Sequence, residues 1–370
     1  MKDIYLDNAA STPLLPITRK AIIEALDIYG NPSSFHKKGK ESGEVLERSR
    51  KKIAKLLRVS PNSIIFTSSA TEGNNMVFKS VVKNFSDGNV VISAIEHKSI
   101  HACKSFLEEN GIEVRVIRVN KNGIIDLEDF FKKVDENTRL VSIISVSNEF
   151  GTVQPIEVIS HHLKEREIPF HTDGVQAITK ISLSLDSIDF ATFSAHKFHA
   201  PKGIGILYRK EKTELEPLLV GGGQEFGLRS GTENIIGIYA TAKTLEYIYF
   251  NYKQNINHLR KLQNKFESSL LELFPDIKII GREVKRSFSI SSVIFPKGTA
   301  YEIVNRLSEK GIYCSIGSAC TSGEPKPNKH LLDMGYTVEE AERFIRFSFG
   351  LMNTEEEIDI TLKAIKQIFK

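Results

Sequence analysis

The sequence predicts an α/β protein with a mostly parallel, doubly wound sheet and a second, smaller α/β domain. Three observations carry this. From about Asn62 onward, short β-branched runs alternate with stretches of helical periodicity, the pattern of parallel strands joined by covering helices. A long amphipathic stretch from near Asn234 to Leu273, ahead of Pro275 and with one break, then reads as a helical connector. Beyond it a second, shorter alternation begins. With 370 residues, 41% hydrophobic and 26% charged, the chain has ordinary globular composition and is long enough for a large core and a companion. The expected division is 14–255 for the large domain, and 1–13 with 256–370 for the small one.

Taken in order, "EVLERSRKKIAK" is a solvated helix face, and "SIIFTSS" is the first strand of the alternation. A helix from Ala70, the strand "NVVISAI", a helix from Lys98 and the strand "IEVRVIRV" follow. The helix "DLEDFFKKV", the strand "RLVSIISVS" and the helix "IEVISHHLKERE" come next, then the strands "IPFHTD", "IDFATFSAH" and "GIGILYR". The small domain supplies "SFSISSVIF", the helix "AYEIVNRLSEKG", a strand near "IYCSI", a Pro/Gly loop, the helix "TVEEAERF", the strand "FIRFSFG" and a last helix from Thr354.

Fifty basic residues against 46 acidic ones leave +4, scattered in mixed runs, which is a solvated surface and not a nucleic-acid footprint. The N-terminus has neither a secretory nor a transit pattern, and no apolar run nears the roughly 20 residues that span a bilayer. A cytoplasmic protein with no membrane partner is expected. Cys103, Cys314 and Cys320 are an odd number in a long chain, so free thiols are expected over a disulfide framework. The spacing of the last two fits no zinc knuckle, and no bound metal is expected. Cys103 and Cys314 read as core, whereas Cys320 lies in "GSACTSGEPKPN", a loop that no core element tolerates.

In open α/β sheets ligands bind outside the carboxyl ends of the strands. Polar residues stand there: Asp173 and Gln176 after one strand, and Ser194, His196 and Lys197 after the next. Asp173 precedes Lys197 by 24 residues, about one connection between neighbouring strands. A buried lysine facing a carboxylate is the pairing used to hold pyridoxal phosphate, although alone it also reads as a strand-end lysine meeting solvent. In "FTSSATEGNN" a strand runs into a helix near Ala70 and Thr71, giving an anion site or simple capping by Ser69. His97 follows another strand, where an imidazole could lie against a ring or move a proton.

The strings "YLDNAASTP", "NPSSFHKKG", "FTSSATEGNN", "EHKS", "SNEFGTVQPI", "HTDGVQ", "SAHKFHAPKGIG", "GGGQEFGLRSGTEN", "GSACTSG" and "IRFSFG" occur in one order over nearly the whole chain. In this the sequence resembles cysteine desulfurases of the NifS/IscS type, class V aminotransferase relatives that are usually homodimeric. The resemblance implies the type I pyridoxal-phosphate-dependent transferase fold and conversion of L-cysteine to L-alanine, with sulfur passing to a persulfide on Cys320. It implies pyridoxal 5′-phosphate held by Lys197 as the Schiff-base lysine, by Asp173 at the ring nitrogen, by Gln176 at the ring hydroxyl and by His97 stacked on the ring. Ala70, Thr71, Ser194 and His196 would hold the phosphate, with Thr232 reaching in from the partner subunit. Asn148 and Arg346 would grip the substrate carboxylate, Arg346 through its planar two-point fork.

The resemblance also implies a sulfur-acceptor protein, a scaffold for iron–sulfur clusters or a tRNA-modifying relay, and Cys320 could then meet a cluster transiently. The interval from Cys320 to Arg346 resembles the subgroup with a long catalytic loop. Relatives often read "SGATE", "NNE" and "QERG" where this chain has Ser69, Ser147 and Phe226, and the sequence stops at Lys370, short of the tail that many use to dock a scaffold. A selenocysteine lyase or another class V enzyme would keep the cofactor residues. Outside that class stand a cysteine hydrolase pairing Cys320 with His330 and a sulfur carrier without turnover.

Overall fold

In the computed structural model, which describes residues 3–317 and 327–369, the chain opens with a short strand, β1 (Ile4–Tyr5), and two helices, α1 (Pro16–Ala25) and α2 (Lys37–Leu57). Proline at the first turn of α1 removes an amide that the helix leaves unpaired in any case. Strand and helix then alternate: β2 (Ile64–Thr67), α3 (Ala70–Asn84), β3 (Asn89–Ser93), α4 (Lys98–His101), α5 (Cys103–Glu109) and β4 (Glu113–Ile117). The series continues with α6 (Leu127–Lys133), β5 (Thr138–Ser142), α7 (Ile156–Glu165), β6 (Phe170–Asp173), β7 (Phe190–Ser194) and β8 (Gly205–Arg209). These strands form one seven-stranded sheet in the order β2-β8-β7-β6-β5-β3-β4. It is parallel except for β8, which runs antiparallel to β2 and β7. β3, β6 and β7 are buried along their whole length, as expected where both faces are covered.

The expected connector is two helices, α8 (Ile235–Phe250) and α9 (Tyr252–Leu273), broken at Asn251. Then come β9 (Lys278–Ile279), β10 (Ile290–Ile294), α10 (Ala300–Glu309), β11 (Ile312–Tyr313), α11 (Lys329–Asp333), α12 (Val338–Glu342), β12 (Phe344–Ser348) and α13 (Glu355–Ile368). β12, β10 and β9 make a three-stranded antiparallel sheet, while β1 pairs parallel with β11. Ile4 and Leu6 share one core with Leu259, Phe266, Phe347 and Ile365, so the N-terminal strand packs with the C-terminal third of the chain. We propose the domain division 14–255 against 1–13 with 256–370; its boundary falls inside the first turn of α9, ahead of Leu259.

Helix starts follow local chemistry. Ser69, Thr299, Thr337 and Thr354 cap α3, α10, α12 and α13, the last three in reciprocal capping boxes with a glutamate. Cys103 is buried on α5, where desolvation pushes its thiol up to about 11. Cys314 follows β11 at intermediate exposure, its thiol also raised by burial. Among the described residues no helix is long and apolar enough to cross a membrane.

Candidate active site

The carboxyl ends of β3, β6 and β7 open into a cavity of about 410 Å³, closed from the other side by the 7–10 segment, β12 and α11. Ten sequence-predicted residues line it: Ala70, Thr71, His97, Asn148 and Asp173, with Gln176, Ser194, His196, Lys197 and Arg346. Adjacency of β6 and β7 brings the Asp173 and Lys197 segments together.

The Lys197 ammonium donates to the carbonyls of Ala9 (2.7 Å) and Ala10 (2.8 Å). Burial first, then the nearby Arg346 charge, lowers it to about 8, against the pull of Asp173 and Asp7. Asp173 accepts from Val175 N at 3.0 Å and, at 3.4 Å, from the Asn74 amide. Burial raises its pKa, and the charge of His97 works the other way. Asn74 is fixed by donating to Ser99 Oγ (2.8 Å) and accepting from Thr192 Oγ1 (2.6 Å). His97 caps α4, its Nδ1 accepting from Ser99 N at 3.1 Å, and burial lowers its pKa. Gln176 donates to Ala9 O (3.0 Å) and accepts from Lys180, whose ammonium burial depresses to about 7.

At the start of α3, Ser69 Oγ accepts from Glu72 N (3.2 Å) and Ala70 N donates to Ser194 Oγ (2.9 Å). Capping and a polar cradle therefore coexist there. Gly205 of β8 lies under this turn, and a Cβ on it would stand 2.4 Å from the Ser69 carbonyl carbon; only glycine permits that approach. His196 faces Ser11 Oγ at 3.2 Å, and burial pushes it down to about 4. Across the cavity Arg346 donates to Asn148 O (2.9 Å) and to Asp7 Oδ1 (2.7 Å). Arg346 Nε and Asn148 Oδ1 are buried and have no partner among the described residues. Two such atoms on one wall point to a polar ligand group.

Thr232 is exposed and does not line the cavity of its own chain. The 221–233 segment that carries it is anchored by Glu225, whose carboxylate accepts two hydrogen bonds from Arg50, at 2.7 and 2.8 Å. Phe226, which stands where relatives often have arginine, lies 4.9 Å from the Arg50 guanidinium, with Phe66 4.8 Å from it. Cys320 lies outside the described residues. Sequence reasoning did not assign Asp7, Asn74, Glu96, Glu149 or Lys180 to the site. Glu96 and Glu149 had a signal, each a carboxylate next in sequence to an assigned residue, His97 or Asn148. His330, considered only as a hydrolase partner for Cys320, lines the cavity 3.2 Å from Glu149.

The aminotransferase class-V family profile matches residues 4–361. The chain belongs to that family. Among class V relatives, a cysteine desulfurase IscS from Dictyoglomus turgidum is 35% identical over 378 residues, covering 100% of this chain and 95% of that protein. A solved NifS-like protein superimposes with a TM-score of 0.93 at 38% identity, over 100% of this chain and 99% of the other. A structure described as SspA in complex with cysteine gives 0.83 at 31% identity, over 95% and 100%. The mostly parallel seven-stranded sheet described above agrees with this likeness.

Proposed function

We propose that this protein is a cysteine desulfurase dependent on pyridoxal 5′-phosphate, converting L-cysteine to L-alanine and leaving sulfur as a persulfide on Cys320. The observation that carries the reading is the single cavity uniting a buried lysine of lowered pKa, a buried aspartate and the unsatisfied Asn148–Arg346 wall.

The residues fit the cofactor. Asp173 is buried with its carboxyl proton affinity raised, which suits a cationic ring nitrogen; Gln176 would meet the ring hydroxyl and His97 the ring face. Ala70, Thr71, Ser194 and His196 surround the open end of α3, where helix amides favour a phosphate. When bound, the cofactor supplies an electron sink for charge that develops at the substrate's Cα.

The chain's own groups do the rest. Lys197, lowered to about 8, would hold the cofactor at its aldehyde and, as a free amine, would be the base for the substrate's Cα proton. Arg346 and Asn148 orient the substrate carboxylate. His97, its proton affinity lowered by burial, is a proton partner beside the same cavity. The Cys320 thiolate attacks the substrate sulfur, so an S–S bond forms while the C–S bond breaks. The electron pair stays with the three-carbon fragment, which is protonated to alanine. The exposed setting of Thr232, with Val220 and Phe226 exposed earlier in the same stretch of chain, supports a homodimer in which this segment serves the partner's cavity. A sulfur-acceptor protein would take the persulfide, in iron–sulfur assembly or tRNA thiolation, in the cytoplasm.

The test is turnover of Cys320→Ser with L-cysteine and a thiol reductant. Near-complete loss of alanine release is expected while the cofactor absorbance is retained. Full turnover would show that Cys320 is not the sulfur acceptor, and absence of visible absorbance in the purified protein would favour a cysteine hydrolase.

A further inference from the structure

Glu149 is the third residue of the Ser147–Asn148–Glu149 turn and is fully buried. Its side chain accepts from Asn328 Nδ2 at 2.6 Å, and its Oε1 stands 3.2 Å from His330 Nδ1. That second contact is off-line, an ion pair more than a directed hydrogen bond. Both partners come from the segment entering α11, while Arg346 of β12 donates to the carbonyl of the neighbouring Asn148. One turn of the large sheet is thus held by two separate pieces of the C-terminal third.

The charges are unevenly fixed. Arg346 carries a permanent cation and already faces Asp7 at 2.7 Å. Glu149 adds a second buried carboxylate whose field reaches Arg346. With His330 protonated, two anions face two cations, and an incoming carboxylate meets a neutral wall. With His330 neutral, one carboxylate is left over, and it competes with the ligand for Arg346.

We propose that protonated His330 is a positioning residue that neutralises Glu149 and so leaves Arg346 and Asn148 free to receive the α-carboxylate of the amino acid. The inference rests on the desulfurase reading only for the identity of that ligand. Glu149 raises the proton affinity of His330 against the cost of burial. The other titratable groups facing the pair are His101 of α4, ring centroid 6.1 Å away, Lys329 and Asp333 on α11 itself, and Arg346 with His97 on the Glu149 side.

The experiment measures equilibrium binding of L-alanine to the full-length purified protein between about pH 6 and pH 9. Wild type, His330→Gln, which keeps reach without charge, and His330→Lys, which keeps charge, are compared. Wild-type affinity should fall on the alkaline side as His330 loses its proton. His330→Gln should bind on the order of tenfold more weakly at pH 6 with a flat profile. His330→Lys should bind well to higher pH than wild type. In parallel, the His330 ring is titrated by NMR in wild type and in Glu149→Gln, where its midpoint should drop. Identical pH profiles for wild type and His330→Gln, or an unmoved midpoint, would overturn the proposal. Failure of the wild type to release alanine from L-cysteine, with the binding profile as described, overturns the desulfurase reading alone.

Discussion

Glu96 and Glu149 are two fully buried glutamates on the cavity side of the same sheet, yet their proton affinities move in opposite directions. Glu96 accepts from Ser93 Oγ and Ile144 N, keeps one oxygen without a partner among the described residues, and is pushed up to about 8. Burial is the main cause, with Asp173 adding to it. Glu149 suffers the same desolvation, but His330, Asn328 and the Arg346 charge hold it down at about 2. Burial alone makes a carboxyl group neutral, and counter-charge decides whether it becomes an anion. The fold therefore places one ionised acid, Glu149, in the wall of the cavity that holds Lys197, and one protonated acid, Glu96, next in sequence to the lining residue His97.

The largest effect is expected at the lysine. Lys197→Ala should lower alanine release by on the order of a thousandfold or more. Its thermal stability should be undiminished, because the ammonium is held in a site that disfavours its charge. A chemical role predicts that split between rate and melting temperature; equal losses of both would make Lys197 structural.

Next in size is the acid limb of stability. A carboxylate whose folded value lies below its unfolded value stabilises the protein above the unfolded value, and that contribution disappears as pH falls through the folded one. For Glu149 the window runs from 4.5 down to about 2. The difference is on the order of 3 kcal/mol, which Glu149→Gln should remove from the urea-unfolding profile. Glu96 has the opposite sign. Its protonated form favours the fold most below 4.5, and this advantage is lost as pH rises to about 8. Glu96→Gln should thus be near neutral in acid and gain on wild type, by on the order of 5 kcal/mol, at alkaline pH. Matching slopes for the two variants would mean that counter-charge does not separate these sites.

The smallest effect concerns the thiols. Cys103, raised to about 11, and Cys314, raised further by burial, should react slowly with iodoacetamide at neutral pH. Peptide mass analysis after brief labelling should find both largely unmodified, and rapid labelling of either would show that its site opens to solvent.

The large sheet was legible because its strands are short β-branched runs bounded by helical periodicity, and polar residues at their ends mark the cavity. The antiparallel direction of β8 was not legible, since a run such as "GIGILYR" has no sense of direction until it is paired with β2 and β7. β9 was hidden by its length of two residues, and α1 by the short, Pro-led stretch that carries it. Asp7 lies inside "YLDNAASTP" and His330 ten residues past Cys320, but their place in the cavity shows only once β1 pairs with β11 and α11 packs on the Glu149 turn. Thr232 and Cys320 remain assignments from resemblance: one faces away from its own cavity, and the other lies outside the described residues.

The most direct test of the central claim is a single-turnover experiment without reductant. The protein is mixed with L-cysteine, alanine is quantified, and peptide masses are mapped. The account predicts about one alanine per active site and one added sulfur on the peptide containing Cys320. Pyruvate in place of alanine, or alanine formed with no added sulfur on that peptide, would contradict it.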